Sequence, residues 1–178
     1  MVESYPPPPA LPALSAVLLV LALLMGGLIL LRRVRTRASG RNWVLLDGSN
    51  VMYWHDNIPR IETLREVTAS LSDLGHAVAV VFDANAGYKL AGRYLDDHAL
   101  ATLLGLPEKR VFVVPAGTPA DPYLLTTAAR IGARIVSNDR FRDWADDHPI
   151  LQDPGQLIRC GYRSGGLWLQ TRDHGTAP

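Results

Sequence analysis

The chain has 178 residues, about one domain, with a formal charge of +1 and a single cysteine, Cys160. Five arginines (Arg32, Arg33, Arg35, Arg37, Arg41) crowd into ten positions, whereas from Asn42 onward 13 Lys and Arg face 16 Asp and Glu. A globally basic nucleic-acid binder is thereby excluded, as are an internal disulfide and a cysteine-rich zinc site; the lone thiol fits a reducing compartment.

Residues 1–9 carry one acid, Glu3, and the run Pro6–Pro9, which predicts a short extended stub. Residues 10–31 (ALPALSAVLLVLALLMGGLILL) hold no charge over 22 positions, and a helix needs roughly 20 to cross the hydrocarbon core. A cleaved leader would need a positive n-region and a small-residue cleavage site; neither is present, and arginines follow directly. The segment therefore predicts a single transmembrane helix. Positive flanks stay on the cytoplasmic side, so the N-terminus is expected outside and everything after Arg32 inside. Residues 32–42 then form a basic juxtamembrane linker; its arginines could grip RNA, but membrane topology and anionic lipid head groups explain them more economically.

Beyond the linker, apolar runs alternate with helical spacing. Residues 43–46 (WVLL) read as a buried strand that ends at Asp47-Gly48. Ile61, Leu64, Val67 or Thr68, Leu71 and Leu74 recur at helical spacing, and Gly75 supplies the stop. Residues 77–82 (AVAVVF) are a second strand, ending at Asp83. A loop with Asn85, Gly87 and Gly92 leads to a short helix over 94–104. Residues 110–114 (RVFVV) are a third strand. Residues 122–131 read as a helix with Asp121 as N-cap and Pro122 at its first position. Residues 134–137 (RIVS) are a fourth strand, followed at once by Asn138-Asp139 and a helical turn over 140–146. Residues 156–162 and 167–171 flank Arg163-Ser164-Gly165-Gly166 and read as a hairpin or an edge addition, and residues 174–178 as a tail. Strands alternating with such helices predict an α/β fold with a mostly parallel sheet covered on both faces.

In open α/β sheets, ligands bind outside the carboxyl ends of the strands. Three strands here end in, or hand over to, an aspartate: Asp47, Asp83 and Asp139. Asp143 follows Asp139 by four residues, so on a helix beginning there the two would share a face. Asp121 opens the helix after the third strand and lies at the same end of the sheet. Singly, each has a plain structural use in a turn, a cap or a solvated surface. Together they are like charges at one edge, which costs stability unless a cation neutralises them. Hard divalent cations take oxygen ligands of this kind, which points to metal-assisted phosphoryl chemistry.

Two segments carry a family resemblance. VLLDGSNVMYW (Val44 to Trp54) and, far downstream, ADPYLLTTAARIGARIVSNDRFRDW (Ala120 to Trp144) resemble the NYN branch of the PIN-like ribonucleases, most nearly the regnase-type catalytic domain of CCCH zinc-finger endoribonucleases. The resemblance covers roughly residues 43–144, with weaker guidance to 171. It implies a PIN-like three-layer sandwich over residues 43–172, with residues 173–178 as a flexible tail. It also implies RNA cleavage with Mg²⁺ or Mn²⁺ held by aspartates. Carried across, the metal and catalytic positions are Asp47, Asp121, Asp139 and Asp143, and Asn50 would orient a carboxylate or the scissile phosphate. Ala120 stands where relatives can carry a second aspartate, and the zinc finger is missing from this sequence.

Arg140 and Arg142 flank Asp139 and could grip phosphates, or pair with Asp143, Asp146 or Asp147. Lys89 and Arg93, with Tyr88 and Tyr94, could line a single-strand channel or form a plain surface loop. Trp54 could stack a base or serve as core or lid. His55, His76, His98, His148 and His174 show no metal-ligand spacing and read as solvated or structural. The expected function is thus a membrane-anchored, metal-dependent ribonuclease acting on single-stranded regions of RNA. Its rival is a catalytically inactive PIN-like module binding RNA or protein at the membrane. A D-x-D phosphatase motif after the first strand and a G-x-x-x-x-G-K-[ST] phosphate loop are both absent.

Overall fold

Five segments pair as one parallel sheet, and they read as near-continuous apolar runs because both faces of the sheet are covered. They are β1 (Trp43–Asp47), β2 (Ala77–Phe82), β3 (Val111–Val113), β4 (Arg134–Val136) and β5 (Leu157–Ile158), in the spatial order β3-β2-β1-β4-β5. The structure is a computed structural model and describes residues 25–27, 42–163 and 166–170. The chain divides into two compact units, residues 1–37 and 38–178. Of the first, only residues 25–27 are described, and they are helical. The transmembrane helix expected over 10–31 otherwise lies outside the described residues, as do residues 1–9, 32–41 and 171–178. Among the described residues no helix is long and apolar enough to cross a membrane.

The pleat divides the strand residues between two cores. Val44, Leu46, Val78, Val80 and Phe82 point to one face, where they meet Leu64, Val67 and Leu71 of α2 (Ile61–Asp73) and Leu100, Ala101 and Leu104 of α4 (Asp97–Leu104). Leu45, Ala79, Val81 and Ile135 point to the other, onto Leu124, Leu125 and Ala128 of α5 (Ala120–Ile131). Helix, sheet and helix make three layers, which fits the PIN-like sandwich expected from the sequence. Residues 38–178 are built around the parallel βαβ crossovers that connect these layers.

The remaining elements are small. Asp47 caps α1 (Gly48–Val51), a single turn. α3 (Ala86–Ala91) forms where a loop is expected, and the helix expected over 94–104 begins only at Asp97, capped by the Asp96 side chain at the Ala99 N–H. Both candidate readings of the C-terminal segments hold in part. β5 is an edge addition to the sheet, while β6 (Cys160–Arg163) and β7 (Gly166–Leu169) form a separate antiparallel hairpin.

Two expectations about the aspartates are corrected. Asp121 is not the N-cap of α5. That position is Pro119, without a side-chain cap, and Asp121 is the second helical residue. Nor does a helix begin at Asp139. The Asp139 carboxylate accepts the N–H of Phe141 at 2.8 Å, closing a local turn, and Phe141 takes a left-handed φ of 50°. Only a 3₁₀ turn follows, Arg142–Trp144. A side chain that captures the backbone two residues on competes with the helical ladder, and here it wins.

Candidate active site

The chain runs outward from β1 through β2 to β3, then returns to the far side of β1 to form β4. Such a reversal opens a crevice at the carboxyl ends of the two strands where it occurs. Leu46 pairs with Val136 in register, so Asp47 and Ser137 emerge side by side at that point. Asp47 is also level with Val81, two residues before Asp83. The strand-end aspartates therefore meet at one rim because of strand order, although 92 positions separate the outermost two.

Each letter of D-G-S-N has a distinct structural use. Asp47 is buried, with Oδ1 accepting the Asn50 N–H at 3.1 Å and Oδ2 accepting the Ser137 hydroxyl at 2.9 Å. Gly48 lies so close to the buried Phe82 ring that a Cβ would sit 2.7 Å from its Cδ1, so any side chain would displace the end of β2. Ser49 Oγ accepts the Asp83 N–H at 2.8 Å, tying the first loop to the second. Asn50 Oδ1 accepts the Asn138 N–H at 3.1 Å and the Trp54 indole N–H at 2.7 Å, tying it to the fourth. Both partners are donors, which fixes the amide orientation. The S-N-D segment answers in kind, since Ser137 Oγ also accepts the Asp139 N–H at 3.1 Å. A continuous path of hydrogen bonds thus joins Asp139 to Asp47 through one serine.

Electrostatics identify the wider cluster. Burial pushes the Asp47 carboxyl from 3.8 up to about 7, against its hydrogen bonds from Ser137 and Asn50, with Asp121 and Asp83 adding repulsion. The half-buried Asp121 is likewise held above its usual range, first by burial and then by Asp139. Trp144 opposes that rise, while Asp83 and Asp143 add to it. Asp121 therefore shares its field with each of Asp47, Asp139 and Asp143. Asp83 belongs to it too, although the resemblance assigns it no role; its place at the end of β2 was the only signal in the sequence. Among the described residues none of the five forms an ion pair with Lys, Arg or His.

The convergence stops short of a closed cage. Among the described residues no group of three or more Asp, Glu, His or Cys side chains is drawn together tightly enough to hold a metal ion as it stands. A soft-ligand or all-protein site is thus a poor fit. Mg²⁺ behaves differently, because it keeps several waters and binds through one or two carboxylates together with substrate phosphates. An oxygen-only rim of uncompensated carboxylates around the half-buried Asp121 fits that mode.

Arg140 and Arg142 are exposed beside Asp139 and have no carboxylate partner among the described residues, so the pairing with Asp143, Asp146 or Asp147 does not form. Lys89 sits over the Tyr53 ring at 5.6 Å, and Tyr88 and Tyr94 are exposed at a cavity of about 770 Å³ next to Ala84. That cavity is walled by Asp96, Asp97 and Glu108, a lining unsuited to phosphate. Trp54 is half-buried against the core and anchored to Asn50 rather than free.

A three-layer sandwich with an acidic crevice at the switch point of a five-stranded parallel sheet fits the PIN-like class of nuclease folds. The model of the Zc3h12a-like ribonuclease NYN domain matches residues 40–162, and the chain belongs to that family. Among solved structures the chain is similar to nuclear protein-only RNase P 2 (PRORP2) of Arabidopsis thaliana. One determination aligns at 16% identity and a TM-score of 0.56, covering 88% of this chain and 36% of that one. A crystal structure of the same protein aligns at 17% identity and a TM-score of 0.51, covering 74% and 30%. The chain thus spans about a third of the length of those structures, and at these identities the likeness is one of fold. No curated protein matches the chain.

Proposed function

We propose that this protein is a membrane-anchored ribonuclease that hydrolyses phosphodiester bonds of RNA with Mg²⁺ or Mn²⁺ at Asp47, Asp121, Asp139 and Asp143, with Asp83 alongside. The observation that carries this reading is the buried Asp47 at the end of β1, pushed up to about 7 amid other carboxylates and, among the described residues, in no ion pair. A buried acid raised in this way amid like charges in a crevice marks a candidate functional group, and a divalent cation would neutralise it. Bound there, a divalent cation supplies Lewis-acid polarisation of the phosphate and a water acidified toward neutrality. The protein's own contribution is positional. Ser137 and Asn50 fix both oxygens of Asp47, Asn50 locks the first loop to the fourth, and Arg140 and Arg142 offer forked donors for flanking phosphates. Hydrolysis by water would leave 5′-phosphate and 3′-hydroxyl ends.

The discriminating assay incubates the full chain, purified in detergent, with labelled single-stranded RNA and DNA in Mg²⁺, Mn²⁺ or EDTA. Cleavage is expected with either metal, none with EDTA, and a loss of at least about a hundredfold in Asp139→Asn, the scale on which a metal contributes several kcal/mol to the transition state. Activity in Asp139→Asn equal to wild type would defeat the assignment. The open arrangement of the carboxylates favours one rival, a non-catalytic RNA- or protein-binding module. That rival predicts neither cleavage nor stabilisation by Mn²⁺.

Residues 10–31 supply the anchor in this reading, with the N-terminus outside and the nuclease in the cytoplasm. The full chain is expected to stay with the membrane pellet after alkaline carbonate extraction, and a chain lacking residues 1–37 to be released. Release of both would remove the anchor.

A further inference from the structure

A second cavity, of about 570 Å³, opens just beyond α1, the turn that holds Asn50, and it is lined by Trp54, His55, Asp56, Tyr162, Arg163 and Gly166. Its walls come from two distant pieces of chain. After α1 the backbone reverses through Asp56 and Asn57, both left-handed at φ 60° and 55°, and is pinned by the Arg60 N–H on the Met52 carbonyl at 2.9 Å. Aspartate and asparagine are the non-glycine residues that most readily take this conformation, so the sequence itself provides for the turn. The opposite wall is the β6–β7 hairpin, docked by the Tyr162 hydroxyl donating to Glu66 of α2 at 2.5 Å.

Among the described residues the lining is aromatic with one cation, Arg163, that stands outside any ion pair. The His55 ring stacks on Tyr162, with centroids 5.0 Å apart and planes at 27°. The Arg163 guanidinium lies 4.5 Å over the Trp168 ring, which itself rests on Gly161, where a Cβ would come 3.3 Å from the indole nitrogen. Asp56 is matched by Arg60 at 3.6 Å and His55 at 3.7 Å. Arg163 forms no ion pair among the described residues. The Trp54 indole joins this cavity to the acidic rim, since it lines the first and donates to Asn50 of the second.

We propose that this cavity binds one nucleotide of a single-stranded RNA lying across the acidic rim, its base against the Trp54, His55 and Tyr162 surfaces and its phosphate on Arg163. The inference rests on the ribonuclease reading for the identity of the strand. Stacking surfaces beside a cation suit a single strand, whose bases are free to leave one another, and not a duplex, whose bases are buried. A planar guanidinium already held over an indole meets a phosphate with little further ordering.

The test uses the full chain in detergent carrying Asp139→Asn, so that RNA is not consumed. Binding of a fluorescein-labelled single-stranded RNA of eight nucleotides is followed by anisotropy at fixed salt, and compared with further variants Arg163→Ala, Arg163→Lys and His55→Ala. His55 and Arg163 are exposed, and unchanged circular dichroism checks the fold. Single-strand affinity is expected to fall roughly five- to hundredfold for Arg163→Ala and His55→Ala, less for Arg163→Lys, with duplex RNA unaffected. Equal affinity in all variants, or equal losses for duplex and single strand, would overturn the proposal. Metal-dependent cleavage by the wild-type chain is scored separately. Its failure would remove the nuclease reading while the binding losses still decided the pocket.

Discussion

Asp47→Asn is expected to abolish cleavage and, at pH 8, to make the protein more stable than wild type. Asparagine keeps an oxygen to accept the Asn50 N–H, and its amide can donate to Ser137 Oγ once that hydroxyl rotates away, so the local hydrogen bonds survive. What disappears is an ionised carboxylate in a place that disfavours charge. The shift from 3.8 to about 7 corresponds to about 4 kcal/mol as an order of magnitude, part of which relaxation of the real loop would absorb. Thermal unfolding at pH 8 without divalent ions should therefore show a Tm several degrees higher in the variant, while cleavage in Mg²⁺ falls at least about a hundredfold. A variant less stable than wild type at pH 8 would mean that Asp47 is a structural acid, held for its cap and not for a ligand.

The same residue sets a pH dependence whose sign is the reverse of the usual aspartate case. An acid raised by folding binds its proton more tightly in the native state. Its stabilising effect is fully present below the unfolded value near 3.8 and is lost as pH climbs through about 7. The half-buried Asp121, also raised, adds to the same slope. Without metal, the wild-type protein should thus lose stability between about pH 4 and pH 7 and level off above. The difference between wild type and Asp47→Asn isolates the Asp47 share. Saturating Mn²⁺ should flatten the slope, since a cation that binds the ionised rim lowers these pKa values and releases protons on binding. Identical slopes in wild type and Asp47→Asn, with or without Mn²⁺, would show that the rim is not a cation site coupled to Asp47.

The layers were legible in the sequence because buried parallel strands are continuous apolar runs, and AVAVVF coincides with β2 residue for residue. The positions of Asp47 and Asp83 were legible because the carboxyl ends of parallel strands lie at one edge of a sheet. Three things escaped. α3 is six residues long, too short for a helical period to register, and its Gly87 reads as a loop signal. There, a Cβ at Gly87 would meet the Arg93 carbonyl at 2.8 Å, so the glycine serves a close approach of backbones. Asp139 and Asp143 have the spacing of a helix face, yet the capture of the Phe141 N–H by Asp139 ends that option at once. The uses of Ser49 and Ser137 depend on which distant loops lie opposite, and that follows from the strand order β3-β2-β1-β4-β5, which no local pattern encodes.

The left-handed Phe141 has a consequence for any attempt to neutralise the acidic rim cleanly. Its ring is almost wholly enclosed in the core under α5, so its burial offsets the roughly 1–3 kcal/mol of its backbone geometry only while the Asp139 carboxylate clasps its amide. Trimming position 139 to alanine would remove a charge and unclasp a core residue in one stroke, mixing chemistry with collapse. Asparagine keeps an oxygen for the clasp, so it separates the loss of the charge from damage to the scaffold where alanine does not.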